Sequence, residues 1–264
     1  MRKKTVFGTY EWAVLNANFI AGCHHDCKYC YSKEMAIRFK RKQPQTWKDE
    51  EIDLKRFSRE FGKVEGTIMF PSSHDITPQN LEYALTFINK LLFPGNNILI
   101  VTKPHLECVK SICNNFRNFK VNILFRFSIG SNNSETLLFW EPNAPSFEER
   151  FESLRFAYNE GFKTSVSSEP FLDNSIPDLI QAIDPFVTDS IWVGKANFLK
   201  RRLKVNGITD TKSIEMADRL IESQNVEKIK DLFNILNENP KVKWKESIKK
   251  VLNINISTEK GLDQ

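Results

Sequence analysis

Short apolar runs alternate with amphipathic stretches from about residue 11 to residue 197. Six of the runs have the length of a β-strand, at residues 12–20, 66–70, 98–103, 121–130, 163–170 and 190–197. The stretches between them carry apolar residues at helical spacing, as Leu81, Leu85 and Ile88 do. A strand followed by a helix, about six times over, predicts an α/β fold whose parallel sheet curls into a full or partial barrel.

The pattern changes after about residue 206, where helical stretches follow one another at residues 214–221, 226–236 and 244–252. Each stretch is rich in Lys and Glu and has one apolar stripe. We therefore expect a barrel domain over residues 1–206 and a helical C-terminal extension over residues 207–264. The lysines of KVKWKESIKK, at residues 241–250, are interpreted as a solvated helix face rather than as a surface for nucleic acid.

Polar side chains gather where the predicted strands end. The candidates are Ser72, Ser73, Asp75, Lys103, Arg126, Ser128, Glu169, Lys195 and Asn197. The carboxyl ends of parallel strands meet at one edge of the sheet, so these residues predict an active site there. Arg126 and Glu169 are counted among its candidate cofactor contacts.

Three cysteines follow the first predicted strand in the run GCHHDCKYCYS, with C-x₃-C-x₂-C spacing: Cys23, Cys27 and Cys30. Three thiolates on one loop can hold three irons of a [4Fe–4S] cluster and leave the fourth iron open to a ligand. A structural zinc site with His24 or His25 as fourth ligand is the alternative. Zinc sites usually add a second ligand pair further along the chain, and this sequence shows none.

The cysteine spacing resembles the signature of the radical S-adenosylmethionine (radical SAM) superfamily. Three further segments resemble its spore photoproduct lyase branch: SSHDI, VTKP and the long segment that begins FRFSIGSNN. The resemblance covers about residues 18–195. It implies a partial (β/α)₆ TIM-like barrel, a [4Fe–4S] cluster on the three cysteines, SAM on the open iron, and a flavodoxin- or ferredoxin-like one-electron reductant.

The resemblance also assigns roles to single residues. Tyr29 would lie under the adenine of SAM, and Ser73 and Asp75 would hold its amino group. A carboxylate that faces an ammonium accepts a charge-assisted hydrogen bond, so an Asp suits that position. Lys103 would meet the SAM carboxylate, and Ser128 would lie near the ribose and methionine.

Tyr31 and Ser72 are the candidate catalytic residues. Tyr31 matches a tyrosine that can pass a hydrogen atom in photoproduct lyases, and Ser72 stands where those enzymes have a hydrogen-donating cysteine. An O–H bond is stronger than an S–H bond, which argues against photoproduct repair here. The expected function is that of a radical SAM enzyme, either a lyase or of the transferase or oxidoreductase class. Its substrate is not identified by the sequence, and nucleic acids and nucleotides are among the candidates. A small-molecule or peptide substrate, and a non-catalytic cluster- or zinc-holding protein, stay open.

Charge and composition add few limits. The net charge of +5 and pI near 8.8 permit a polyanionic partner. The basic residues Arg38, Lys40, Arg41, Lys42 and 200–204 could bind such a partner or could simply form solvated surface.

The apolar runs are too short for a membrane span. Cys108 and Cys113 are too few for a second cluster and are expected to be buried inert thiols. The cysteine usage fits a reducing, cytoplasmic location, and the oligomeric state is left open.

Overall fold

The computed structural model describes residues 6–261, which form nine strands and eleven α-helices. The strands are β1 Leu15–Asn16, β2 Ile20–Ala21, β3 Glu51–Ile52, β4 Thr67–Phe70, β5 Asn97–Thr102, β6 Ile123–Ser128, β7 Lys163–Ser168, β8 Ile191–Val193 and β9 Val242–Trp244. The helices are α1 Tyr31–Arg38, α2 Leu54–Phe57, α3 Leu81–Leu92, α4 Leu106–Asn115, α5 Ser134–Trp140, α6 Phe147–Asn159, α7 Ile176–Ile183, α8 Leu199–Val205, α9 Thr211–Ser223, α10 Val226–Leu236 and α11 Glu246–Leu252.

Seven strands form one parallel sheet in the order β1-β4-β5-β6-β7-β8-β9, and β2 and β3 form a separate antiparallel pair. Each new strand of the large sheet joins beside the previous one, with a helix in most of the connections, as in a βα barrel. Within the described residues, β1 and β9 are the two edges of this sheet, so the barrel stays open. The predicted α/β fold with a partial barrel is confirmed.

The two faces of the sheet carry different residues. Ile123, Phe125 and Phe127 of β6 are fully buried in the large core between the sheet and its helices. Leu124, on the opposite face, packs with Met69 and Leu99 in a small cluster inside the barrel. Successive side chains of this strand thus alternate between the two faces, and every second one points toward the interior.

Two expectations about the elements are wrong. The run at residues 12–20 is not one strand: it gives β1, three residues without regular secondary structure at 17–19, and then the start of β2. The C-terminal region is mainly helical as expected, but it adds β9, which pairs in parallel with β8 as a seventh strand. Its last helix starts at Glu246 rather than at Trp244, because Trp244 belongs to β9 and packs into the main core.

The lysines of residues 241–250 are not uniformly solvated. Lys245 is buried and lies between two carboxylates, with its Nζ 2.8 Å from Glu11 Oε1 and 3.4 Å from Glu169 Oε2. Lys249 is buried as well. The interpretation as a solvated helix face is therefore wrong for these two positions, because the chain folds back and places them against the barrel.

The remaining cysteines are placed as expected. Cys108 and Cys113 lie on α4, free and buried in the main core. Burial raises the pKa of both thiols to about 12, so they stay protonated and poor as nucleophiles or ligands. No helix in residues 6–261 is both long and apolar enough to span a bilayer.

Candidate functional site

The cysteine loop, residues 22–30, connects β2 to α1 at the carboxyl end of the sheet. It begins with Gly22, whose φ of +110° is a left-handed value, and a Cβ there would come within 2.8 Å of two backbone carbonyl oxygens. Cys23 and Cys27 are buried, and Cys30 is half-buried. Cys30 also caps α1, because its Sγ accepts a hydrogen bond from Lys33 N at 3.4 Å. The fold therefore brings the three predicted ligands onto one loop.

The far side of this loop is held by residues from distant parts of the chain. Lys28 N donates to Trp140 O at 2.9 Å. The Asn206 side-chain amide donates to Lys28 O at 2.9 Å and to Cys30 O at 3.0 Å. The loop backbone is thus fixed by α5 and by the end of α8.

The charges near the loop suit an anionic group. Burial raises the pKa of all three thiols, while the Lys103 ammonium opposes this for Cys27, and α1 N–H groups and Lys103 oppose it for Cys30. Among residues 6–261, no three Cys, His, Asp or Glu side chains are arranged to hold a single metal ion. In a [4Fe–4S] cluster each cysteine binds a different iron, so the sulfurs need not converge on one point. The donor set and its cation fit that cluster.

Lys103 follows β5 and belongs to a buried charged cluster with Tyr29, Glu141 and Arg150. Its Nζ lies 3.9 Å from Glu141 Oε1 and 5.9 Å from the centre of the Tyr29 ring. Tyr29 Oη donates a hydrogen bond to Glu141, and Arg150 Nη2 lies 2.5 Å from Glu141 Oε2. Burial alone would lower the pKa of Lys103, but Cys27, Tyr29 and Glu141 raise it well above its usual value. The lysine is therefore a permanent cation beside Cys27.

Asp75 has both carboxylate oxygens engaged. Oδ1 accepts hydrogen bonds from Ile76 N and from the Thr102 hydroxyl, and Oδ2 accepts one from Lys103 N at 3.0 Å and faces His25 Nδ1 at 3.2 Å. Burial alone would raise the pKa of Asp75, but His25 and the Lys103 charge hold it far below its usual range. The structure thus couples Asp75 to the cysteine loop through His25, and its expected contact with the SAM amino group stays a prediction.

A second part of the site surrounds the two candidate catalytic residues. The Tyr31 hydroxyl donates to Ser72 O. The Asn18 side chain donates to Ser72 Oγ at 2.8 Å and accepts from the N–H groups of Ser72 and Ser73 at 2.8 and 2.9 Å. Removal of the hydroxyl end from water raises the pKa of Tyr31 to about 12, so the phenol keeps its proton. Asn18 therefore fixes Ser72 and Ser73, and Tyr31 joins them through its bond to Ser72 O.

Three other candidates have their bonding partners outside the cysteine loop. Arg126 points toward the opposite end of the barrel: its Nε donates to Ser165 Oγ at 2.9 Å, its Nη2 lies 3.6 Å from Asp189, and its guanidinium stacks over Trp12. Burial lowers the pKa of Arg126 to about 10. Ser128 is half-buried, and its carbonyl accepts from Arg150 Nη1 at 3.1 Å. Glu169 pairs with Lys245, as described above.

Sequence reasoning missed three residues that hold the site in place. Glu141 belongs to the E-P turn of the long branch-specific segment, so a signal for it was present. Asn18 and Lys245 offered no signal, because their importance depends on which distant residues they meet in the fold.

The comparisons with known proteins agree with this geometry. The family model described as "Radical SAM superfamily" matches residues 17–178, which is more than half of the chain. The chain therefore belongs to the radical SAM superfamily. A curated relative, "Uncharacterized protein ORF301" of Acidianus two-tailed virus, is 28% identical over 174 residues. That match covers 60% of this chain and 55% of the viral protein, so the chain spans about half the length of this relative.

Solved structures of spore photoproduct lyase share the fold. A mutant of that enzyme with bound AdoMet and dinucleoside spore photoproduct aligns with a TM-score of 0.56 at 17% identity, covering 92% of this chain and 80% of the lyase. A second mutant aligns with a TM-score of 0.52 at 16% identity, with the same coverage. At these identities the likeness shows the shared architecture alone.

Proposed function

We propose that this protein is a radical SAM enzyme that holds a [4Fe–4S] cluster on Cys23, Cys27 and Cys30. When bound and reduced by a one-electron donor, the cluster supplies the electron that splits SAM and so generates a 5′-deoxyadenosyl radical for hydrogen abstraction. The observation that carries the proposal is the Lys103 ammonium, which lies near Cys27 and has the Glu141 carboxylate 3.9 Å away, beyond hydrogen-bond distance. A structural metal site has no need of such a cation, whereas the SAM carboxylate does.

The surrounding residues would bind and orient SAM and its target. Lys103 would contact the SAM carboxylate, and the buried Tyr29 ring would support the adenine while Glu141 fixes its hydroxyl. The turn at Ser73 and Asp75 would receive the amino group. Tyr31 keeps a hydrogen on its oxygen and would lie next to the substrate. Burial of the cysteines would keep water and other reactants away from the cluster.

Anaerobic reconstitution with iron and sulfide tests the cluster. We expect about four irons and four sulfides per chain, with loss of uptake in Cys27→Ala. Cys113→Ala is the matched control, because it removes a buried thiol far from the loop and should leave iron uptake intact. Stoichiometric zinc that resists chelation, without iron uptake, would favour the metal-holding binding protein instead.

Formation of 5′-deoxyadenosine tests turnover. The reconstituted protein with SAM and a strong reductant should release it slowly, and faster when a substrate is present. Protein that carries the cluster and binds SAM but releases no 5′-deoxyadenosine under strong reduction would contradict an enzymatic function. All five cysteines are free thiols, which suits the reducing cytoplasm that an oxygen-sensitive cluster requires.

The substrate we propose is a nucleic acid or nucleotide other than spore photoproduct. The aligned lyase was solved with a dinucleoside lesion, which supports the class. Ser72 stands where that branch has a hydrogen-donating cysteine, and it is a poor hydrogen-atom donor because an O–H bond is stronger than an S–H bond. Repair of spore photoproduct at an enzymatic rate would refute the exclusion. Faster 5′-deoxyadenosine release with a small molecule or peptide, and none with oligonucleotides, would refute the class.

A further inference from the structure

Helices α1 and α8 pack side by side and form a rim beside the cysteine loop. This α1–α8 rim, residues 31–41 and 198–204, exposes aromatic rings next to guanidinium groups. Phe198 is 65% exposed and Phe39 is 59% exposed. Arg201 lies over the Phe198 ring at 4.4 Å, and Arg41 lies 5.2 Å from the centre of the Phe39 ring. Large rings left in water beside cations are the composition of a recognition surface rather than of a solvated helix face.

Phe198 is held in an unfavourable backbone conformation. Its φ of 54° and ψ of 31° lie in the left-handed region, which bulky residues without a glycine's freedom rarely adopt. Neither burial nor a hydrogen-bonded cap compensates for this strain, since the ring is exposed and its side chain makes no cap. Strain of this kind that brings no folding benefit points to a binding role.

A groove of about 380 Å³ runs along Phe198 at the carboxyl end of β8. Three cations line it together with the ring: Lys195, Lys200 and Arg201. This volume lies at the lower end of the range for small-ligand sites, which suits a single flat group. Lys200 is paired with Asp218, Lys195 donates to Gln224 O, and Arg201 lies against the Phe198 ring with about half of its side chain exposed.

The rim also adjoins the opening of the site. Arg201 and Arg202 are held by one buried carboxylate, Glu34, at 3.1 and 3.6 Å. Helix α8 also ends at the cysteine loop, because Asn206, directly after the helix, donates a hydrogen bond to Cys30 O at 3.0 Å. A ligand on Phe198 would therefore extend toward the cysteine loop.

The rim has more exposed cations than exposed carboxylates. The exposed cations are Arg38, Lys40, Arg41, Lys200, Arg201 and Lys204. Lys42, which the sequence grouped with them, is buried and paired with Glu51. We infer that the α1–α8 rim binds single-stranded nucleic acid, with an unpaired base stacked on Phe198 and a backbone phosphate on Arg201. The inference rests on the proposed function, since the bound strand would deliver its neighbouring nucleotide to the cavity. A duplex keeps its bases stacked on one another and offers none to the ring.

Binding of a fluorescein-labelled oligo(dT) strand to the reconstituted protein, followed by anisotropy over a salt series, tests this inference. Phe198→Ala should weaken binding about tenfold without changing the salt slope, and Phe198→Tyr should bind like the native protein. Arg201→Gln should reduce the log–log salt slope by about 0.7, the value for one phosphate contact of a single strand. Phe93→Ala is the matched control, because that ring is 84% exposed at the end of α3 and should have no effect.

Equal affinity in Phe198→Ala and Phe93→Ala would overturn the inference. Tighter binding of the same sequence as a duplex, or an unchanged salt slope in Arg201→Gln, would overturn it too. Release of 5′-deoxyadenosine without substrate is measured on the same preparations. Intact release with no oligonucleotide binding refutes the rim and leaves the proposed function standing, whereas absent release contradicts the proposed function itself.

Discussion

Two lysines directly follow strands of the same sheet, one at each side of the barrel. Lys103 follows β5 and Lys245 follows β9. Both face carboxylates, and both lie over an aromatic ring, Tyr29 at 5.9 Å and Trp12 at 4.0 Å. Sequence position alone would give them the same role.

Their ammonium groups differ in availability. Lys245 is 1% exposed and bonds Glu11 at 2.8 Å and Gly8 O at 3.1 Å. Lys103 is 17% exposed, and its carboxylate partner Glu141 lies at 3.9 Å, beyond hydrogen-bond distance. The hydrogen-bonding capacity of Lys245 is used within the fold, while that of Lys103 is left for a ligand. A buried lysine is therefore a binding residue only where its donors are not already taken.

Lys245→Met should cause the largest effect in this comparison. It removes the cation between Glu11 and Glu169, and loss of one partner of a buried ion pair costs about 3–5 kcal/mol of unfolding free energy. Denaturant unfolding measures it. Lys243→Met on the same strand is half-buried and should change the stability by less than about 0.5 kcal/mol. Equal stability of the two variants would show that Lys245 is not structural.

His74 sharpens the comparison, because it is a buried base whose polar contact is a backbone carbonyl, Asp75 O at 3.1 Å, rather than a carboxylate. Burial lowers the pKa of His74 from 6.5 to about 4. Below pH 6.5 the imidazole of His74 binds a proton in the unfolded chain, whereas in the folded chain it stays neutral until about pH 4. The free energy of unfolding therefore decreases as the pH is lowered from 6.5 to about 4. The loss is about 3 kcal/mol at most.

Unfolding free energies at pH 4.5 and pH 7 check this for the native protein and for His74→Gln. The variant should show a shallower decline, since its side chain does not titrate. Parallel declines in both proteins would mean that other groups carry the acid sensitivity.

Lys103→Ala should have the smallest effect on folding and the clearest effect on binding. Loss of one hydrogen bond to a charged group should weaken SAM binding by about 1.5–3 kcal/mol, or roughly 10- to 150-fold. Equilibrium dialysis of the reconstituted protein measures it, with Lys245→Met as the comparison wherever that variant remains folded. Unchanged SAM affinity in Lys103→Ala and in Asp75→Ala would show that SAM does not bind at Lys103 and Asp75.

Much of the fold could be predicted from the sequence because parallel strands buried on both faces appear as continuous apolar runs, as residues 98–101 of β5 do. Strand β9 was not predicted, because a run of three residues with a lysine on either side fits the start of a helix equally well. The break of the first run at Asn18 depends on Ser72, far along the chain, and has no local signal.

The candidate site divides in the same way. The loop that carries Cys23, Cys27 and Cys30 was predicted from spacing alone, because its members are close in sequence. Lys245 acts through Glu11, near the other end of the described residues, so no local pattern reveals it. Arg126 was expected to contact the cofactor, but its side chain faces Ser165 and Asp189 instead, for a related reason. Its inward direction follows from the strand period, but the end of the barrel it points to does not.

The two bonds from Asn206 to the cysteine loop also bear on the order of assembly. They join residues 178 and 176 positions apart, so the earliest part of the site to be synthesised is closed by one of the latest. Contacts of such large sequence separation form late in folding, after the entropy of closing a long loop has been overcome. On the ribosome, the cysteines therefore emerge well before their cover, and iron has access to them until α8 docks.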